Sequence, residues 1–167
     1  MNYSYVRNNI YDNENVKLFL YLIVLGIFPF LIPGPQYITG TLVNTILFIS
    51  AYHLKGIKLV PIIVMPSISV FLTGYIFGNA SPALIYIMPL IWIGNATIIF
   101  GMRYLEKQNY FKSVLTVATL KTILLFIGAF VLFQNDLIPL VIINSMGIIQ
   151  FLTAVSGGIF AYFLIKK

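Results

Sequence analysis

The chain has no cysteine, one histidine (His53), one tryptophan (Trp92) and only four acidic residues, Asp12, Glu14, Glu106 and Asp136, among 167 residues. Without thiols there are no disulfides, no thiolate zinc sites, no cysteine nucleophiles and no cysteine-ligated iron–sulfur clusters. A lone histidine likewise excludes a multi-histidine metal centre, so no metal or other cofactor is expected. Charge of either sign is scarce. Charged residues make up 8 % of the chain, against about 25 % in a soluble domain. That is too few to coat a water-facing exterior, whereas 60 % of the chain is apolar and the mean hydropathy is +0.98. The composition points to an integral membrane protein. Its net charge of +6 would suggest nucleic acid in a soluble protein. Here the basic residues fall between apolar stretches and read as topology signals, so no nucleic-acid partner is expected.

A helix crossing a hydrocarbon layer of ~30 Å needs roughly 20 mostly apolar residues. Six stretches qualify: about 17–33, 37–54, 58–78, 83–103, 112–134 and 138–165. Turn chemistry separates them, in Pro33-Gly34-Pro35, Lys55-Gly56, Gly78-Asn79-Ala80-Ser81-Pro82 and Gln134-Asn135-Asp136. A transmembrane barrel needs period-two alternation, and these runs are continuously apolar. The fold expected is therefore all-α: a polytopic bundle of six transmembrane helices in one domain over residues 17–167, after an N-terminal segment of residues 1–16.

Lys and Arg in short connections set orientation. Arg7 and Lys17 precede or open span one, Lys55 and Lys58 mark the second connection, Arg103, Lys107 and Lys112 the fourth, and Lys166-Lys167 end the chain. Connections one, three and five carry neither residue type. Both termini are thus expected in the cytoplasm, with the protein multi-pass in the plasma membrane and surrounded by lipid. The N-terminus does not read as a cleaved signal peptide, because Asp12 and Glu14 precede the apolar run and no A-x-A site follows. Span one is expected to remain.

Lys121 is the least expected residue. Nine residues beyond Lys112, it lies roughly 13 Å into span five at 1.5 Å per residue. A charge near the membrane centre costs at least ~2.5 kcal/mol on insertion scales. Either it lines a polar cavity and meets an anionic ligand group, or its stem carries the ammonium back to the headgroups. Asn44, Asn95, Asn144 and Gln150 are the other strongly polar side chains inside spans. Lipid cannot satisfy a primary amide, so all four are expected to face the bundle interior. There they either bond a polar solute or tie helices together at roughly 0.6 kcal/mol each. The rim formed by Pro33–Tyr37 and Gly78–Pro82, with Tyr75, Tyr86 and Trp92 nearby, is a candidate cover for a ligand arriving from outside. Gly74-x-x-x-Gly78 and the small residues Ala154, Gly157, Gly158 and Ala161 read as helix-packing surfaces. Prolines 29, 61, 66 and 89 interrupt spans one, three and four and release backbone carbonyls that can line a site.

Engines are missing. No P-loop is present, no paired carboxylates lie in a span for proton or sodium relay, and no Ser-His-Asp or His-Glu-x-x-His pattern serves hydrolysis. The chain is not expected to be an enzyme. A protein equipped to bind within the membrane, yet lacking an energy source, must borrow one.

The segment Ile32-Pro33-Gly34-Pro35-Gln36-Tyr37-Ile38-Thr39-Gly40-Thr41-Leu42-Val43-Asn44 and the run Met88-Pro89-Leu90-Ile91-Trp92-Ile93-Gly94-Asn95-Ala96 resemble a substrate-binding subunit, or S component, of an energy-coupling-factor (ECF) transporter. The resemblance extends from span one to the C-terminus. It implies capture of a vitamin or similar micronutrient on the outer face, energised by a separate membrane coupling subunit and an ATPase pair. It also implies a ligand among the outer halves of the helices, which favours Gln36, Asn44, Asn79, Trp92 and Asn144 over Gln150, with Asn95 and Lys121 completing the expected substrate-binding set. Span one departs from the family, since Phe19–Ile27 has only Gly26 where many members carry Ala-x-x-x-Ala. The Met-His start of cobalt and nickel members is absent too, so the expected substrate is neutral or anionic.

Two other readings fit the same residues. One is a non-catalytic assembly protein that packs through Gly74/Gly78 and the small residues of span six. The other is a membrane-embedded lipid-modifying enzyme, for which His53, Arg103 and Glu106 are the only available set.

Overall fold

The structure is a computed structural model and describes residues 13–31, 36–74 and 76–166. The turn at Pro33-Gly34-Pro35, Tyr75, and Arg7, Asp12 and Lys167 lie outside the described residues. Within them the chain is helical and without strands. The helices are α1 (Glu14–Leu31), α2 (Gln36–His53), α3 (Leu59–Thr73), α4 (Leu84–Tyr104), α5 (Tyr110–Gln134), α6 (Leu140–Met146) and α7 (Ile148–Ile165). Short 3-10 turns, Gly56–Lys58 and Gly78–Ala83, lead into α3 and α4. Five helical stretches are long and apolar enough to cross a membrane: Glu14–Leu31, Gly56–Thr73, Gly78–Tyr104, Tyr110–Gln134 and Leu140–Ile165. This is the make-up of a multi-pass membrane bundle.

Local chemistry explains the boundaries. Asn109 caps α5, its side chain accepting from the backbone N–H groups of Phe111 and Lys112. Gly74 ends α3 in the left-handed region at φ 65°, and its N–H returns to the Val70 carbonyl. At the far end of α2, the Arg103 guanidinium donates to the Ala51 carbonyl at 2.8 Å and also to that of Leu54. These carbonyls close the last turn of a helix and have no partner within it.

The central element is α2. It packs most extensively on α7 and also meets α4, α1 and α3, and half its residues are buried. Gly157 makes the α2–α7 approach possible. A Cβ there would fall 2.7 Å from Asn44 Cβ, 2.8 Å from the Thr45 nitrogen and 2.9 Å from the Thr41 oxygen. Beside it, Gly158 seats Val114 of α5 and Phe48 of α2. One apolar core, around Leu47, Phe48, Ile98, Met102, Val114 and Val117, fills the bundle end nearest the basic connections. A smaller one, around Leu84, Ile87, Leu125, Ala129, Ile142 and Met146, lies toward the opposite end.

Two expectations about the elements are corrected. Residues 138–165 do not form one helix, because the chain breaks at Gly147 between α6 and α7. Span three stops at Thr73 instead of running to residue 78. Gly74 and Gly78 both have positive φ, 65° and 51°. They therefore serve the turn after α3, where only glycine is unstrained, and do not form a helix-packing face.

Candidate functional site

The buried polar residues assemble at one level of the bundle. Lys121, eleven residues into α5, is 2 % exposed. Its ammonium donates to Asn44 Oδ1 of α2 at 2.7 Å and to Asn95 Oδ1 of α4 at 3.1 Å. An ammonium has no acceptor capacity, so both carboxamides must turn their oxygens toward it. Their nitrogens then face away. Asn44 Nδ2 donates to Thr153 Oγ1 of α7 at 3.1 Å, and Asn95 Nδ2 to the Ile63 carbonyl of α3 at 2.9 Å. That carbonyl stands one turn before Pro66, where a proline disturbs the helix ladder. Five helices thus meet at one polar node. Lys121 does not snorkel; its ammonium is held in the interior.

This node floors a cavity of about 80 Å³, room for more than one water-sized occupant. The cavity extends past Gln36 and Gln150 to Ile76 and Phe77. Those residues belong to the bundle end whose connections carry no Lys or Arg. Pro66, Val70, Leu84, Met88, Ile91 and Met146 supply most of its apolar wall. No Asp or Glu is among the lining residues, and no cluster of potential metal ligands occurs among the described residues.

Of the residues singled out from sequence, Gln36, Asn44, Asn95 and Lys121 line this cavity. Gln36 also donates through Nε2 to the Ser145 carbonyl at 3.1 Å, joining the start of α2 to the end of α6. Trp92 stands one residue back, its indole N–H donating to Ser67 Oγ at 2.7 Å, and Ser67 lines the cavity. Asn79 and Asn144 do not join. Asn79 is exposed on its 3-10 turn, and Asn144 is exposed on α6, so the expectation that Asn144 faces the interior is corrected. Gln150 does line the cavity. Its amide has only a 4.0 Å contact to the Met146 sulfur, which leaves it available to an occupant. Thr39 and Ser67 are further lining residues that sequence reasoning passed over. A hydroxyl within an apolar run carries little signal, because it commonly bonds its own helix, as Ser67 does with the Val64 carbonyl.

The residues behind the other two readings are engaged elsewhere. Gly157 and Gly158 close the α2–α7–α5 contact, so they do not form an outward face. Gly26 faces Met65 of α3. Arg103 caps α2, and His53 Nδ1 pairs with the Tyr21 hydroxyl at 2.6 Å. Glu106 is exposed. Comparison of the chain with protein families, with curated proteins and with solved structures finds no match.

Proposed function

We propose that the protein is the solute-capture subunit of an uptake system, similar in role to an S component of an energy-coupling-factor transporter. It takes up a small neutral or anionic solute and depends on separate coupling and ATPase subunits for energy. In this reading α1 to α5 and the broken α6–α7 segment make six spans of the plasma membrane. The basic connections and both termini lie in the cytoplasm, and the cavity faces outward. α2 counts as a span although it is the most polar of the helices, because its polar residues turn to protein instead of lipid.

The supporting observation is the buried Lys121–Asn44–Asn95 node flooring a cavity at the Lys/Arg-poor end. Helix cohesion alone does not call for a cation there. Well-packed apolar side chains do as well or better than a buried charge, and a charge placed inside a membrane helix marks a functional site by default. The reading is tested by native mass spectrometry of the gently purified protein. A stoichiometric non-lipid mass is expected, and it should be lost from Lys121→Met. Only lipid and detergent adducts, together with failure to associate with co-expressed coupling and ATPase subunits, would refute it.

A further inference from the structure

The charge balance of the cavity narrows the class of solute. An ammonium has three N–H donors. Two of Lys121's go to Asn44 and Asn95, and the third has no acceptor among the described residues. The amide oxygens are dipoles and leave the positive charge uncompensated. No carboxylate lines the cavity, and the acidic residues Glu14, Glu106 and Asp136 lie at or beyond helix ends. Above this floor, Val70, Phe77, Leu84, Met88, Ile91 and Met146 form an apolar wall, and the uncharged polar residues Gln36, Thr39, Ser67 and Gln150 also line the cavity.

We infer that the cavity selects a small organic monoanion: a carboxylate carried on an apolar body. A carboxylate oxygen takes the remaining Lys121 N–H, and the body lies against the wall above. The inference rests on the capture reading. Each neighbouring class fails on charge. A dianion such as sulfate or succinate would leave one negative charge buried without a partner, which low dielectric penalises heavily. An amine or a zwitterion would bring a second cation to a site with no acid to meet it. A neutral amide would leave the ammonium uncompensated.

The protein carries its own reporter. Trp92 is the only tryptophan, and it is bonded to Ser67 at the cavity edge. Its fluorescence, with the thermal midpoint as a second readout, can follow titration of the purified full chain. The probes are benzoate, hexanoate and 3-phenylpropanoate, each against its primary amide, with succinate and sulfate as dianions. The monocarboxylates should bind roughly 10- to 100-fold tighter than their amides, as expected for a hydrogen bond to a charged group. In Lys121→Met that ratio should fall to near one, with weak binding of both retained. Lys121→Gln, which keeps a donor without the charge, gives the same comparison if the first variant does not fold.

Amides that bind as tightly as acids, a ratio that survives the loss of Lys121, or preference for a dianion would overturn the inference. If no probe binds, the charge of the co-purifying mass decides. A monoanion upholds the inference, and a neutral, dianionic or cationic molecule overturns it while the capture reading stands. No probe binding and no co-purifying solute would overturn the inference, and the capture reading falls with it when the co-expressed coupling and ATPase subunits also fail to associate.

Discussion

The two ends of the bundle both use glycine to pack helices and to turn the chain, but in different measure. At the end nearest the basic connections, where Gly56 turns with positive φ, glycine mainly brings helices together. Gly101 admits Val117, and Gly157 and Gly158 bring α7 onto α2 and α5 around Phe48 and Val114. At the other end Gly128 packs α5 against Leu90 of α4, but glycine also bends the chain away from helix. Gly74 and Gly78 turn with positive φ and have little or nothing near an added Cβ, and α6 and α7 part at Gly147. One end consequently has the larger apolar core, with Arg103 closing α2, and the other keeps the hollow above Lys121. The cavity over the polar node thus opens where the chain leaves regular helix, whereas the apolar groove between α1, α2 and α7 is lined by helical residues alone.

Substitutions should expose this asymmetry, and the largest effect is expected at the dense end. Gly157→Ala must push α2 from α7 because the new methyl meets backbone atoms. It should cost about 3 kcal/mol, read as a lowered thermal midpoint in detergent. An unchanged midpoint would mean that the two helices can separate freely. Next comes Arg103→Met, which leaves the Ala51 and Leu54 carbonyls without their charged donor. A loss of roughly 1.5–3 kcal/mol is expected, and Lys should rescue little because it lacks the fork that spans two carbonyls.

At the node, Asn95→Leu should destabilise by about 1–3 kcal/mol by removing an acceptor from a buried ammonium. The penalty should shrink once Lys121 is also Met. A double-mutant cycle checks this; additive effects would show that the two side chains do not interact. The smallest change is expected at the open end. Gly78→Ala meets no atom within 4 Å, so it costs only the left-handed backbone, roughly 1 kcal/mol. Gly78→Asn should recover much of that.

Much of this architecture is legible without coordinates. Continuous apolar runs and the breaks between them place α1, α2, α4 and α5 within three residues at each end, because lipid demands an apolar surface over a fixed length. Rotation about each helix axis is not legible, and rotation decides which amides meet. Asn44 and Asn95 turn inward to Lys121 while Asn144 turns out. All three sit in similar surroundings in the sequence, but Asn144 belongs to the short helix before the break, whose phase differs from that of α7. The break itself occurs within apolar sequence, where a membrane leaves no compositional mark; Gly147 is its only local sign. Lys121 shows the same limit. Its depth can be counted along the chain, but whether its stem turns to the headgroups or inward depends on acceptors 77 and 26 residues away.

Those separations bear on how the chain is made. Both of Lys121's acceptors precede it, so the ribosome delivers Asn44 and Asn95 before the cation that needs them. In the six-span reading, span five therefore reaches the translocon when spans two and four can already receive its charge, and only Thr153, which braces Asn44, is still to come. In that reading the order of synthesis makes the early helices a folding template for the fifth. Glycosylation-mapped insertion of span five should accordingly be more efficient behind spans one to four than alone, and Asn44→Leu with Asn95→Leu should abolish the difference.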